Sequence, residues 1–369
     1  MDVVLTHLRE PPILLKRALN SDLTAFRMTP GAGGEKKFMT NKPRDYFLNL
    51  SPGKLMGIRR VADERGRFAV LALDQTGVFR RAFGDDATRT GQAKLELARA
   101  ISPHASSVLL DVPTSLRQAL NSGAVPRGVG LVARLEKAGD PGDHGYEEPG
   151  WSVGKIKSMG ADAVKLLVYM SVDDRRYTQA QLDFVRRTSD ACREHDILLM
   201  TEELSFPRGD AREPDGKATA YRERRTRNIL QAAELIGPYT DVLKLEFPGE
   251  KYLSELNQTA QRPWVLLSAG VDFEIFQDQV EAAVKAGASG IMAGRAIFKE
   301  WLDPESAHFQ KADFLSKHAA ERMRTLAAIV DRDAPSWLQR YNLSLQELAS
   351  SVRPGWYSPF AVKPGSGGY

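Results

Sequence analysis

The chain is nearly free of cysteine. Its 369 residues hold one, Cys192, which excludes an intramolecular disulfide and any metal site built from several thiolates. Cys192 lies in a charged, helical stretch and reads as structural. Long apolar runs are missing too, and no stretch is long enough to span a bilayer. The start, Met1-Asp2-Val3-Val4-Leu5, lacks the basic region and apolar core of a secretory signal. No charge of one sign dominates. Lys and Arg number 51 against 47 Asp and Glu, a formal charge of +4. That balance argues against nucleic acid as a partner and suits anionic small substrates. There is no internal repeat and no low-complexity tract. These absences leave a cytoplasmic enzyme as the default, and 42% hydrophobic residues suffice for a large core.

What is present divides into three parts. Residues 1–50 carry Pro30-Gly31-Ala32-Gly33-Gly34 and Lys36-Lys37 in a polar, non-periodic stretch, and read as a partly flexible N-terminal extension. Residues 51–335 form the main domain. Residues 336–369 hold a short helical region at Leu343–Ser350 and a Gly- and Pro-rich tail.

In the main domain short apolar runs alternate with amphipathic ones. The predicted strands are Phe68–Asp74, Ser107–Asp111, Gly130–Leu135, Ala163–Tyr169, Ile197–Leu204, Val242–Phe247, Trp264–Ala269 and Gly290–Gly294. Helical patterns fill most of the intervals: Gly91–Ile101, Ser115–Ser122, Ser152–Met159, Ala180–Glu194, Arg224–Ile236, Lys251–Ala260 and Phe273–Ala286, with Ser306–Val330 after the last strand. Near-continuous apolar strands separated by helices imply a buried parallel sheet. Eight such units imply a (β/α)8 TIM barrel, here with an N-terminal extension and extra C-terminal helices. No Gly-x-Gly-x-x-Gly follows the first strand, which weakens a dinucleotide-binding alternative.

Chemistry in such a barrel sits at the carboxyl ends of the strands. Seven of the eight runs place polar residues there: Asp74-Gln75, Asp111, Lys165, Glu202-Glu203, Lys244 with Glu246, Ser268-Ala269-Gly270, and Gly294-Arg295. A single such residue is more often a cap than a catalyst. The set is harder to dismiss, because a barrel would bring it to one mouth. Lys244, within Val242-Leu243-Lys244-Leu245, is the most telling member. An amine inside an apolar strand is costly to bury, and burial lowers its pKa and makes it nucleophilic. The bland alternative is a lysine that snorkels outward. Lys165 has the same character, and repulsion between two inward lysines is expected to depress one pKa. The loops holding Ser268, Ala269 and Gly270, and Gly294 and Arg295, follow strands 7 and 8, where barrels commonly hold phosphate. None of the six histidines ends a strand, so a catalytic zinc is not expected. A magnesium site from Asp74, Asp111 and Glu202 is the weaker alternative, because the two lysines would compete for those carboxylates, and no metal or cofactor is expected.

These segments, taken in order, resemble the class I tagatose-1,6-bisphosphate aldolase family, whose relatives include aldolases for sulfonated sugar phosphates. The likeness covers roughly residues 50–340. It runs through Leu73-Asp74-Gln75, Ser106–Asp111, Trp151-Ser152-Val153, Gly160–Lys165, Glu202–Ser205, Asp241–Lys244, Leu267–Val271 and Gly294-Arg295-Ala296. The resemblance implies a Schiff-base lysine at Lys244, an acid/base glutamate at Glu202 and a second active-site lysine at Lys165. It implies that Asp74 and Gln75 contact substrate hydroxyls or the catalytic lysine, and that Ser268, Gly270 and Arg295 cradle the phosphate of the dihydroxyacetone phosphate half. The implied partner is a phosphorylated ketose, and a homo-oligomer is compatible with it. Two positions depart from the family. Thr76 stands where a basic residue follows Asp-Gln, and Glu203 where an apolar residue is usual. Thr76 leaves open what the aldehyde half carries. Two rivals stay open: an aldolase for 6-sulfofructose 1-phosphate or another modified sugar phosphate, and a non-catalytic sugar-phosphate sensor that uses residues 1–50 as its contact.

Overall fold

Each apolar run is four to eight residues of mostly β-branched or leucine-type side chains, so it fits a pleated, doubly covered strand better than a helix. The computed structural model describes residues 43–139, 145–206, 219–303 and 311–357. Its strands are β1 (Phe68–Ala72), β2 (Ser107–Leu110), β3 (Gly130–Arg134), β4 (Ala163–Met170), β5 (Leu198–Ser205), β6 (Val242–Leu245), β7 (Trp264–Leu267) and β8 (Gly290–Ala293). All are paired in parallel, in chain order, and β8 closes on β1. The expected (β/α)8 barrel is present.

Side-chain alternation splits every strand into two columns. The outer column, with Leu71, Val108, Val164 and Leu243, packs against the helices through Leu97, Phe184, Ile229 and Val280. The inner column fills the barrel with Phe68, Val70 and Ala72, Leu109, Val132, Ala163, Leu198 and Met200, Val242, Val265 and Met292. Continued toward the carboxyl ends, the same column turns polar. Asp74 follows Ala72 at the spacing of two, Arg134 follows Val132, Lys165 follows Ala163, Glu202 follows Met200 and Lys244 follows Val242. One periodicity therefore builds both the core and the rim.

The opposite end is closed. Helices Pro43–Leu48 and Pro52–Val61 lie under the strand starts, where the backbone at Gly57 passes close to Asp162 and Leu198. Phe47, Ile58 and Val61 join the inner cluster with Trp337, Leu343 and Leu348. Lys54 and Asp241 form a buried ion pair of 2.9 Å, and the Tyr46 hydroxyl also donates to Asp241. Of the expected 1–50 extension, residues 1–42 lie outside the described residues, and its last helix packs on the barrel as just stated. The tail beyond residue 357 also lies outside them. The expected helix at Ser306–Val330 is found as Lys311–Asp333, with a wider turn at Leu315–Ala319; residues 304–310 lie outside the described residues. Among the described residues no helix is long and apolar enough to cross a membrane.

Candidate active site

Above its last apolar layer the barrel opens into a cavity of about 200 Å³. Lys165 stands at the centre of its floor. It lies on β4 in register with Arg134 of β3, at 2% exposure. Its Nζ meets three carboxylates: Asp74 Oδ2 at 2.8 Å, Glu136 Oε1 at 2.7 Å and Glu202 Oε2 at 2.9 Å. Lys244 reaches the same oxygen of Glu202, also at 2.9 Å. Glu202 and Lys244 are register partners on β5 and β6, so their side chains leave the same face side by side. Arg134 donates to the Asp74 carbonyl at 2.5 Å and to Thr76 Oγ1 at 3.1 Å, which fixes the turn after β1.

Burial disfavours every charge in this group, and the ion pairs decide which charges survive. For Asp74, burial is outweighed by Lys165, Lys244 and Arg134, which hold its carboxyl well below the usual range. Burial of Glu202 is likewise outweighed by Lys165 and Lys244, and its pKa is lowered. Burial favours a neutral amine at Lys165, yet Asp74, Glu136 and Glu202 hold that amine above its ordinary value. For Lys165 the carboxylates outweigh both burial and any repulsion from Lys244, and Glu202 stands between the two lysine nitrogens. Glu136 is the exception among the acids. Burial, only partly offset by Lys165 and Arg134, pushes its carboxyl up.

Of the residues singled out from the sequence, Lys244, Glu202, Lys165, Asp74, Gln75, Ser268, Ala269, Gly294 and Arg295 line the cavity. Asp111 does not. Its carboxylate is taken up by Lys94 Nζ at 2.5 Å, Ser115 Oγ at 2.6 Å and Thr114 Oγ1 at 2.7 Å. Lys94 comes from helix Ala87–Ile101, so this buried pair ties that helix to the end of β2. Gly270 stands just behind the lining. A Cβ there would approach Arg295 Cζ to 3.2 Å, and its φ of +84° favours glycine. Ala269 is left-handed as well, at φ +48°. Among the described residues the backbone N–H groups of Ala269 and Gly270 meet no acceptor, an arrangement suited to an anion.

Among the described residues, three charged lining residues escaped the sequence reading: Arg134, Glu136 and Lys137. Glu136 was one position beyond the predicted end of strand 3, the one strand without a recognised polar end. Extending that run by its own period of two from Arg134 would have found it. Two buried acceptors on the cavity wall, Gln75 Oε1 and Glu136 Oε2, have no hydrogen-bond partner among the described residues. Unpaired acceptors beside a lysine suit a ligand with several hydroxyl donors. Glu203 points the other way. It is buried behind β5, 3.4 Å from Asn228 Nδ2, and burial together with the nearby Glu246 raises its pKa well above the usual range.

Residues 68–300, from β1 past β8, match the DeoC/LacD family aldolase. The chain belongs to the DeoC/LacD aldolase family. It is an aldolase, and so a lyase. Among curated relatives, tagatose 1,6-diphosphate aldolase 2 of Enterococcus faecalis is 28% identical over 328 residues, covering 79% of this chain and 97% of the relative. Tagatose 1,6-diphosphate aldolase 1 of Streptococcus mutans is 26% identical, covering 79% of this chain and 100% of the relative. Among solved structures, an archaeal fructose 1,6-bisphosphate aldolase superposes with a TM-score of 0.53 at 21% identity, over 75% of this chain and 98% of that one. The fructose-bisphosphate aldolase from Slackia heliotrinireducens gives 0.55 at 17% identity, over 85% and 95%. These structural likenesses carry the fold, and the DeoC/LacD match covers the strands that bear the cavity residues.

Proposed function

We propose that this aldolase works through a Schiff base on Lys244 and cleaves a ketose 1,6-bisphosphate, tagatose 1,6-bisphosphate foremost, to dihydroxyacetone phosphate and an aldehyde. The observation that carries this reading is the unequal company of the two lysines. Lys165 is held by three carboxylates, which keep it charged and therefore not nucleophilic. Lys244 shares one carboxylate with it. The amine free to attack is the one on β6.

The chemistry follows from those contacts. The uncharged Lys244 amine adds to the C2 ketone of the substrate. Glu202, within hydrogen-bonding reach of that nitrogen, relays a proton from the adduct's nitrogen to its oxygen, and with one further proton taken up from solvent the hydroxyl leaves as water and a protonated imine forms. The Glu202 carboxylate then takes the C4 hydroxyl proton. The C3–C4 bond breaks, its electron pair moves into the imine to give an enamine, and the aldehyde departs. The enamine gains a proton at C3, and water releases dihydroxyacetone phosphate and the amine. Lys165 keeps Asp74 ionised and holds Glu202 in place as it exchanges protons. The Ser268–Gly270 turn and Arg295 hold the C1 phosphate, so remote binding energy becomes orientation. A doubly phosphorylated sugar does not cross a bilayer unaided, which supports the cytoplasm as the site of the reaction.

Release of dihydroxyacetone phosphate from a panel of tagatose 1,6-bisphosphate, fructose 1,6-bisphosphate and 6-sulfofructose 1-phosphate tests the reading. The expected result is the highest kcat/KM with the tagatose compound, and turnover of fructose 1,6-bisphosphate within about tenfold. A preference for the sulfonated sugar would shift the substrate assignment. No release from any of the three would remove it.

A further inference from the structure

We infer that Lys137, on the loop after β3, anchors the anionic group at the far end of the aldehyde half of the substrate. This rests on the ketose-phosphate reading above. Among the described residues five basic side chains line the cavity. Lys165 is spent on its three carboxylates, and Arg134 on the Asp74 carbonyl and Thr76. Lys244 is the proposed nucleophile, and Arg295 belongs to the β8 loop beside Ser268 and Gly270. That leaves Lys137, which has no carboxylate within ion-pair distance among the described residues.

Its position fits the task. In the closed strand order β3 lies across the mouth from β7, four places away in either direction. The functional groups then follow the carbon chain around the rim. The phosphate cradle sits at β7 and β8, the imine lysine on β6, the proton-transferring Glu202 on β5 and Lys165 on β4. A chain that starts with its C1 phosphate in the cradle and presents C2 to Lys244 continues past Glu202 toward β3. On the other flank Thr76 offers a neutral hydroxyl, already engaged by Arg134.

The loop base is built to present a charge. The Lys137 N–H donates to the Tyr146 carbonyl at 3.0 Å and the Glu148 N–H to the Leu135 carbonyl at 2.9 Å, with Glu136 and Glu147 bridged between them. These bonds make a short antiparallel ribbon that rises from the end of β3. The Lys137 ammonium lies 5.4 Å from the centre of the Tyr146 ring, a contact that orients the side chain without neutralising it. A tetrahedral anion, phosphate or sulfonate, is the chemistry it would take.

The test compares kcat/KM for fructose 1,6-bisphosphate with that for fructose 1-phosphate, which lacks the distal group, in the wild type and in Lys137→Met and Lys137→Arg. The wild type should favour the bisphosphate. Lys137→Met should lose about 30-fold of that preference, mostly through KM, and Lys137→Arg should regain part of it, as expected for one charge-assisted contact. An equal preference in 6-sulfofructose 1-phosphate that also collapses would assign the site to either anion; its persistence would restrict it to phosphate. The inference is overturned if Lys137→Met weakens both fructose substrates equally, if its preference stays that of the wild type, or if the wild type shows none. Failure of the underlying reading looks different: the wild type would then release dihydroxyacetone phosphate from neither compound.

Discussion

Replacing Lys244 by methionine should abolish cleavage while sparing the fold. The expected fall in kcat is at least about 10,000-fold, because covalent catalysis is lost with the nitrogen proposed to form the imine. Methionine has nearly the same length and no charge. It would remove a buried amine at 4% exposure but leave Glu202 paired with Lys165, so that carboxylate is not orphaned. The thermal midpoint should therefore stay close to that of the wild type. The measurement is dihydroxyacetone phosphate release at saturating substrate, read beside a melting curve. Retained turnover in a folded Lys244→Met protein would end the Schiff-base proposal.

Lys165→Met should fail for a different reason and with a different signature. Here a single ammonium contacts Asp74, Glu136 and Glu202, all buried. Its removal leaves like charges facing one another in a place that water barely reaches. Breaking a buried ion pair from one side costs on the order of 3–5 kcal/mol, so the urea midpoint should drop visibly. The carboxylates should also take up protons, which removes the base needed at Glu202, and kcat should fall by about 1,000-fold. The contrast between the two lysines is the informative part. One substitution should erase chemistry with stability intact, and the other should lower both. A Lys165→Met protein as stable as the wild type would show that the ion cluster is not the strut described above.

The barrel was legible because its strands are buried on both faces. Each reads as an apolar run, and the helices between them carry the ordinary amphipathic spacing, so eight repeats of one pattern identified the architecture. The base was not legible. Helix Pro52–Val61 contributes few apolar residues to the core, and its inward Lys54 is accepted only because Asp241, distant in sequence, meets it. Helix Gly77–Phe83 buries Phe79 alone and offers no period to read. In the cavity, inward direction was readable wherever a polar residue continued the core column, as at Asp74, Lys165, Glu202 and Lys244. It failed at Asp111, which ends β2 but is claimed by Lys94 from a neighbouring helix, a pairing that only the fold creates. It failed at Glu136, which lies two residues past the end of β3 in a bridge to Glu147. The pKa of Lys165 could not be foreseen either, since its sign depends on three carboxylates from β1, β3 and β5 arriving at one atom.

The most direct measurement is reductive trapping. The protein is incubated with dihydroxyacetone phosphate and sodium borohydride, digested, and its peptides weighed. The account predicts irreversible inactivation, with the mass of the reduced adduct on the peptide that contains Lys244 and on no other. An adduct on Lys165, or full activity after borohydride with no adduct at all, would contradict it.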